Sequence, residues 1–241
     1  MTINNIPVMS HFSESPYEYL KYKIMNATVN TYPYPHLLIE NIFPEEFYAK
    51  IMKNIPETEK YTPKPLYPGK KTLTLENLDK LDEKQKEFWK QIQMWLTSKD
   101  FSEMLLKKFS IDKIGHSDYF LHKDLEEFEV TPHRDIYSKL VTYLFYLPED
   151  DSLSQLGTDI LVPKNKIELT TKHQNWDDFN IVKRSKYVPN SFFAFTPCDN
   201  SYHAVKVNFP EDSIKKERNT IRGFVFDKTA KDYPAYLFDK K

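Results

Sequence analysis

Apolar residues recur at helical spacing in the first half of the chain. Residues 83–97 carry their large apolar side chains on one helical face, at Phe88, Trp89, Ile92, Trp95 and Leu96. This spacing predicts a helix over 83–97, and a second, shorter helix is predicted over 100–109. Further upstream, residues 33–56 predict a strand that leads into a helix, which ends at Pro56.

Beyond residue 115 the pattern changes to short aromatic and β-branched runs bounded by Pro, Asp, Asn or Gly, which is typical of strands. The predicted strands cover residues 118–125, 139–147, 158–163, 191–197, 201–208 and 219–227. Their number and spacing favour an antiparallel barrel or jelly roll. Residues 57–80 and 164–188 lack this pattern, so we expect irregular loops there, the second long enough to act as a lid or binding loop.

Charge and cysteine content narrow the class of protein. The formal net charge is -1, whereas general nucleic-acid and membrane-surface binders carry a basic excess. Cys198 is the one cysteine, so no intrachain disulfide can form, and no basic stretch followed by an apolar run marks a signal peptide. We therefore expect a cytoplasmic protein with no nucleic-acid or membrane partner.

Glycine content argues against two common nucleotide sites. The sequence has only four glycines, from which neither GxGxxG nor GxxxxGK[ST] can be built, so we expect neither a Rossmann site nor a P-loop. The high aromatic content, 15%, favours strands. We expect one mainly β domain over residues 1–241, with helical support at about 33–110 and a jelly-roll core at about 115–230.

The tripeptide His133-Arg134-Asp135 is the first candidate for chemistry. On a strand, His133 and Asp135 would project to one face and Arg134 to the other. His203 lies on another predicted strand, and two imidazoles with one carboxylate suit Fe(II) while leaving coordination positions open. Because a lone HxD is more often not a metal site, and a lone histidine is more often a core residue, the surrounding segments decide the interpretation.

Further motifs accompany these residues in a fixed order. They are PYPHLLIENIFPEEFY (33–48), PHRDIYSKLVTYLFYLPED (132–150), Gly157-Thr158-Asp159, PNSFFAFTPCDNSYHAV (189–205) and ERNTIRGFVFD (217–227). Together they resemble the 2-oxoglutarate/Fe(II)-dependent oxygenases, especially the prolyl-hydroxylase-like branch. The matching segments span residues 33–227.

The resemblance implies a fold and a reaction. The fold would be a double-stranded β-helix, that is a cupin-like jelly roll, with flanking helices. The enzyme would be a dioxygenase that decarboxylates 2-oxoglutarate to succinate and CO2 while it hydroxylates or otherwise oxidises a C–H bond of a small-molecule or peptidyl substrate. His133, Asp135 and His203 would hold Fe(II), O2 would be the oxidant, and ascorbate would be a supporting reductant.

The closing strand would hold the co-substrate. By position in the family pattern, Arg218 would bind the distal carboxylate of 2-oxoglutarate, a task that suits the two parallel donors of a guanidinium. Tyr146 and Thr220 would lie beside it. Arg222 is the competitor, because residues 218, 220 and 222 face one way on a strand. We favour Arg218 because it begins the R-x-T pattern, although residues 208–217 look like an insertion that lengthens the interval from His203.

Other candidates carry weaker signals. We expect Lys139 to be a solvated lysine rather than a pocket residue, and Cys198 to be a turn or packing residue rather than a catalytic thiol. Tyr119 and His122 precede the metal-binding strand, and their register decides whether they face the cavity. A basic cluster on the predicted loop 164–188, which is either solvated or a contact for an acidic substrate, consists of Lys183, Arg184 and Lys186.

Two other classes of protein remain open. A zinc or other divalent-metal hydrolase could use the same three ligands with a metal-bound water, but it would leave Arg218, Thr220 and Tyr146 without a role. A non-catalytic jelly-roll binding module would not need two histidines and an aspartate together.

Overall fold

The computed structural model describes residues 15–166, 170–214 and 216–233. The ends of the expected domain 1–241 and residues 167–169 of the predicted loop 164–188 lie outside the described residues. The helices are α1 (Pro16–Asn26), α2 (Glu45–Lys53), α3 (Glu83–Leu96) and α4 (Lys99–Lys108). The strands are β1 (His36–Glu40), β2 (Thr62–Pro63), β3 (Lys70–Leu73), β4 (His116–Asp124), β5 (Glu129–His133), β6 (Lys139–Tyr146), β7 (Thr158–Pro163), β8 (Phe179–Ser185), β9 (Ser191–Phe195), β10 (His203–Lys206) and β11 (Arg218–Phe226).

The two helices predicted over 83–97 and 100–109 are confirmed as α3 and α4, and both begin at capping side chains. Asp82 accepts a hydrogen bond from the backbone N–H of Gln85 in α3. Ser98 accepts one from Phe101 in α4, so each cap satisfies an N–H group that has no partner within the helix. Within the described part of the chain, no helix has the length and apolar character needed to cross a membrane.

The strands form two antiparallel sheets. The larger has the order β1-β9-β6-β11-β4-β3-β2, and the smaller has the order β5-β10-β7-β8. From β4 onward the chain passes back and forth between the two sheets, except at the β7–β8 hairpin. This alternation is the arrangement of a double-stranded β-helix, so the predicted fold, mainly β with flanking helices and a jelly-roll core, is confirmed.

Residue alternation gives the larger sheet two different faces. On β9, Phe192 and Ala194 pack in the cluster that contains the helices, whereas Phe193 and Phe195 belong to a second cluster between the sheets. The helices therefore cover the outer face. The inner face lines the interior of the jelly roll, and polar side chains that stand on it are enclosed between the sheets.

The predicted irregular loops at 57–80 and 164–188 are wrong in part, because they contain β2, β3 and β8. β3 pairs with β4, and β8 pairs with β7. β8 lies at the edge of its sheet and only its two end residues are buried, so its sequence has no apolar alternation to reveal a strand. α1 was not predicted either, and its interior-facing residues are few: Leu20 and Ile24.

Candidate active site

Three potential metal ligands meet at one end of the smaller sheet. His133, the last residue of β5, pairs directly with His203, the first residue of β10. One ligand atom from each histidine and one from Asp135 all lie within 4.8 Å of one another. The expectation that Asp135 stands on the strand is wrong, because β5 ends at His133 and Asp135 follows in the next loop. Arg134 instead extends to the carbonyl oxygen of Thr170, 3.2 Å from its Nε.

Both histidines are oriented by backbone carbonyl groups. The Nδ1 atom of His133 lies 3.0 Å from the carbonyl oxygen of Thr131, and Nδ1 of His203 lies 3.0 Å from that of Ser201. A carbonyl only accepts, so each Nδ1 carries the proton and each Nε2 keeps its lone pair for a ligand. Burial lowers the pKa of both imidazoles, which keeps them neutral and able to bind a metal.

Both oxygens of Asp135 are held by neighbouring side chains. Lys139 donates to Oδ1 at 2.5 Å and Thr142 donates to Oδ2 at 2.6 Å. Burial alone would raise the pKa of Asp135, but the positive charge and the hydrogen bond of Lys139 hold the pKa below its usual range. The carboxylate is therefore ionised and fixed before any metal arrives. The expectation that Lys139 is a solvated lysine is wrong.

The Lys139–Asp135 pair should contribute to stability in a pH-dependent way. Replacing Lys139 with Met should destabilise the metal-free protein at pH 7 by about 1–3 kcal/mol, the usual cost of leaving a charged group without its hydrogen-bond partner. Since the pKa of Asp135 is lowered in the folded state, this contribution is complete above the usual aspartate pKa and is lost as the pH falls through the folded pKa.

Urea unfolding of both proteins at neutral and acidic pH measures this effect. Lys183→Met, on the exposed side of β8, is the matched control and should change stability little. Equal stability of the wild type and Lys139→Met at pH 7 would contradict the importance of the pair.

Arg218 is enclosed between the two sheets, with only 2% of its surface exposed. Its Nη1 lies 2.5 Å from Oδ2 of Asp124, and its Nε donates to the carbonyl oxygen of Leu156 at 2.6 Å. The guanidinium stands 5.4 Å from the ring centres of both Tyr146 and Tyr187. Nη2 is buried and has no hydrogen-bond partner among the described residues. The guanidinium is therefore held in place, and one nitrogen remains available for a ligand.

The two other residues expected to bind the co-substrate lie near Arg218. Thr220 follows it on the inner face of β11 and pairs directly with Tyr146 on β6. The hydroxyl of Tyr146 lies 2.7 Å from the Thr158 hydroxyl and accepts a hydrogen bond from Ser185 at 3.2 Å. The Tyr146 oxygen can accept both of these bonds, which leaves its own O–H group to donate to a ligand.

Arg222 lies on the same face of β11, four residues beyond Arg218 and closer to the three potential metal ligands. It pairs with Leu144 of β6, and its guanidinium carbon lies 4.8 Å from the centre of the Phe224 ring. The Nε atom is buried without a hydrogen-bond partner among the described residues. Both arginines named in the sequence thus enter the interior, in different surroundings.

Solved structures with a similar fold include members of the family that the motifs resemble. An oxidoreductase of the 2OG-Fe(II) oxygenase family from Burkholderia pseudomallei is 10% identical, covers 79% of this chain and 84% of its own, and has a TM-score of 0.46. A prolyl-4-hydroxylase from Pseudomonas putida is 14% identical, covers 87% and 99%, and has a TM-score of 0.48. HygX from Streptomyces hygroscopicus, solved with nickel and 2-oxoglutarate bound, is 9% identical, covers 80% and 83%, and has a TM-score of 0.49.

No protein-family model matches the sequence, and no curated protein is similar to it. At these identities and TM-scores, the likeness to solved structures carries no weight for function.

The other residues that the sequence singled out lie in different parts of the fold. Tyr119 faces the helices, where its hydroxyl donates to the carbonyl oxygen of Trp89 at 3.2 Å. His122 faces the interior and is 4% exposed. Cys198 is in a turn, where its backbone N–H donates to the Ser201 hydroxyl. In the basic cluster, Arg184 pairs with Asp159 across β7 and β8, whereas two members are exposed: Lys183 and Lys186.

Three contacts around the site were not predicted from the sequence. Asp124 pairs with Arg218, Thr142 binds Asp135, and His173 stacks on His133 with ring centres 4.9 Å apart. Asp124 and His173 lie far along the chain from their partners, and no local pattern marks them. Thr142 could have been predicted to lie near Asp135, since it is on a predicted strand directly after the HxD motif.

Proposed function

We propose that this protein is a 2-oxoglutarate- and Fe(II)-dependent dioxygenase that hydroxylates or otherwise oxidises a C–H bond of its substrate. The observation that carries the proposal is the donor set: two neutral imidazoles with free Nε2 atoms and an ionised carboxylate, all within 4.8 Å. Two nitrogens and one oxygen on one face are the ligands of non-haem Fe(II) sites that activate dioxygen. When bound, the iron would supply the redox chemistry of the reaction.

The chain's own residues would prepare the site for the metal. His133 and His203 would offer Nε2, since their Nδ1 atoms are occupied by carbonyl groups. Asp135 would offer one oxygen, with Thr142 and Lys139 limiting its rotation. Each oxygen of Asp135 has a second lone pair, so the carboxylate could bind a metal while Lys139 and Thr142 still hold it.

We propose Arg218 as the residue that binds the distal carboxylate of 2-oxoglutarate. Its buried, unpartnered Nη2 supports this role, because a desolvated carboxylate needs a charged donor. Asp124 and Leu156 would hold the guanidinium in position. Thr220 and Tyr146, both on the inner face beside Arg218, would add hydroxyl donors.

Succinate release separates this proposal from the other classes of protein. Purified protein with Fe(II), 2-oxoglutarate and ascorbate should form succinate under air, even if slowly, because the reaction without substrate is uncoupled. Stoichiometric enzyme with long incubation and ion chromatography detects a few turnovers. The Zn(II)-loaded protein is the control and should form none. Absence of succinate together with absence of 2-oxoglutarate binding to the Co(II) protein would leave the hydrolase and the binding module as the remaining classes.

A further inference from the structure

Arg222 is the exception among the cations that face the interior. Lys70 and Arg218 share the carboxylate of Asp124, at 3.0 and 2.5 Å, and Lys139 is paired too. Arg222 forms no ion pair with any described residue, and its Nε is buried without a hydrogen-bond partner. The Arg222 side chain is half-buried, and its buried Nε has lost its hydrogen bond to water without gaining another, which is costly. This arrangement indicates that the anion for Arg222 comes with a ligand.

Arg222 lies on the side of β11 that is nearer to the three potential metal ligands, His133, Asp135 and His203. Its guanidinium carbon lies 4.8 Å from the centre of the Phe224 ring, and the ammonium group of Lys139 lies 4.3 Å from the same centre. Phe224 pairs with Thr142, whose hydroxyl binds Asp135. The guanidinium therefore extends along β11 towards the metal ligands and away from Arg218.

A second unpartnered polar atom stands on the adjacent strand. His122 faces the interior from β4, with Nδ1 2.9 Å from the Thr72 hydroxyl and with Nε2 buried and unpartnered among the described residues. Burial lowers its pKa strongly, and the charges of Lys70 and Arg222 lower it further, which reflects how close these cations are. Within the described part of the chain, neither Arg222 nor His122 forms an ion pair with a carboxylate.

Iron and co-substrate would not neutralise this site. Fe(II) carries two positive charges and 2-oxoglutarate two negative charges, so their binding adds no net charge to the interior. We propose that Arg222, with His122 beside it, binds an acidic group of the substrate, which is therefore a carboxylate- or phosphate-bearing molecule. The inference rests on the proposed function, and it assigns Arg218 to the co-substrate and Arg222 to the substrate.

Inorganic phosphate and acetate are simple probes of this anion site. Each would be titrated by calorimetry, at constant ionic strength, into protein loaded with Co(II) and saturated with 2-oxoglutarate. We expect at least one of the two anions to bind the wild type, and Arg222→Gln to weaken that binding by about tenfold or more, as for loss of one charge-assisted hydrogen bond. The affinity for 2-oxoglutarate should change less than about threefold in this variant. Lys183→Gln removes an exposed cation and should leave both affinities unchanged.

Three outcomes would overturn the inference. One is that neither anion binds the loaded wild-type protein, and a second is that the anion binds Arg222→Gln as tightly as the wild type. The third is that Arg222→Gln loses 2-oxoglutarate affinity while Arg218→Gln keeps it, which would make Arg222 the co-substrate residue. In each case the proposed function would stand if the Co(II) protein binds 2-oxoglutarate, so the two failures are distinguishable.

Discussion

Replacing His203 with Ala should abolish tight binding of Fe(II) or Co(II) and, with it, all metal-dependent conversion of 2-oxoglutarate to succinate. The reason is that the proposed site has three protein ligands, and His203 is the one that lies on β10, beside His133 and Asp135. Loss of one of three ligands leaves a two-point site that cannot retain the metal against dilution. Metal content after desalting, together with the visible absorption of the Co(II) protein, measures the loss.

His173→Ala is the matched control for the His203 variant. His173 stacks on His133, with rings inclined by 12°, but it is not one of the three clustered ligands. Its removal should lower metal affinity far less than removal of His203. A His203→Ala protein that binds metal normally and turns over 2-oxoglutarate would remove His203 from the site.

Replacing Arg218 with Gln should weaken 2-oxoglutarate binding to the metal-loaded protein by about 2–5 kcal/mol, the range for truncating one partner of a buried charge pair. Arg218 is almost fully buried, so no solvent would replace the lost guanidinium. Metal affinity should survive, because the three ligands are outside β11. Calorimetric titration of 2-oxoglutarate into the Co(II) protein measures the change.

Because Arg218 is paired with Asp124, a second variant is needed to separate a loss of stability from a loss of co-substrate affinity. Arg218→Gln leaves Asp124 with Lys70 as its remaining cation, so the variant could lose stability as well as affinity. The double variant Arg218→Gln, Asp124→Asn removes both charges of the ion pair. It tests co-substrate binding without leaving the Asp124 carboxylate short of a partner. Arg222→Gln is the positional control. If Arg222→Gln loses affinity and both Arg218 variants retain it, the co-substrate residue lies four positions further along the same face of β11.

Local patterns in the sequence determined the main elements and the ligand types. Apolar residues at helical spacing predicted α3 and α4 because each of these helices buries one face against the larger sheet. The predicted strand 158–163 has the same bounds as β7. His133, Asp135 and His203 were named from an HxD motif, a distal histidine and the order of the motifs around them, but the sequence placed Asp135 on the strand, whereas it lies in the loop after β5.

Tertiary structure alone decided which strands pair with each other and which charged side chains form ion pairs. The strands β3 and β8 exist because β4 and β7 offer backbone hydrogen bonds to them, and no local apolar alternation reveals β8. The contacts of Arg218 with Asp124 and of Asp135 with Lys139 depend on strand register and on the loop after β5. Strand register and loop course bring distant carboxylates to particular cations. They therefore decide which arginine already has a carboxylate partner in the chain and which has none, and the number of charged residues in the sequence does not show this.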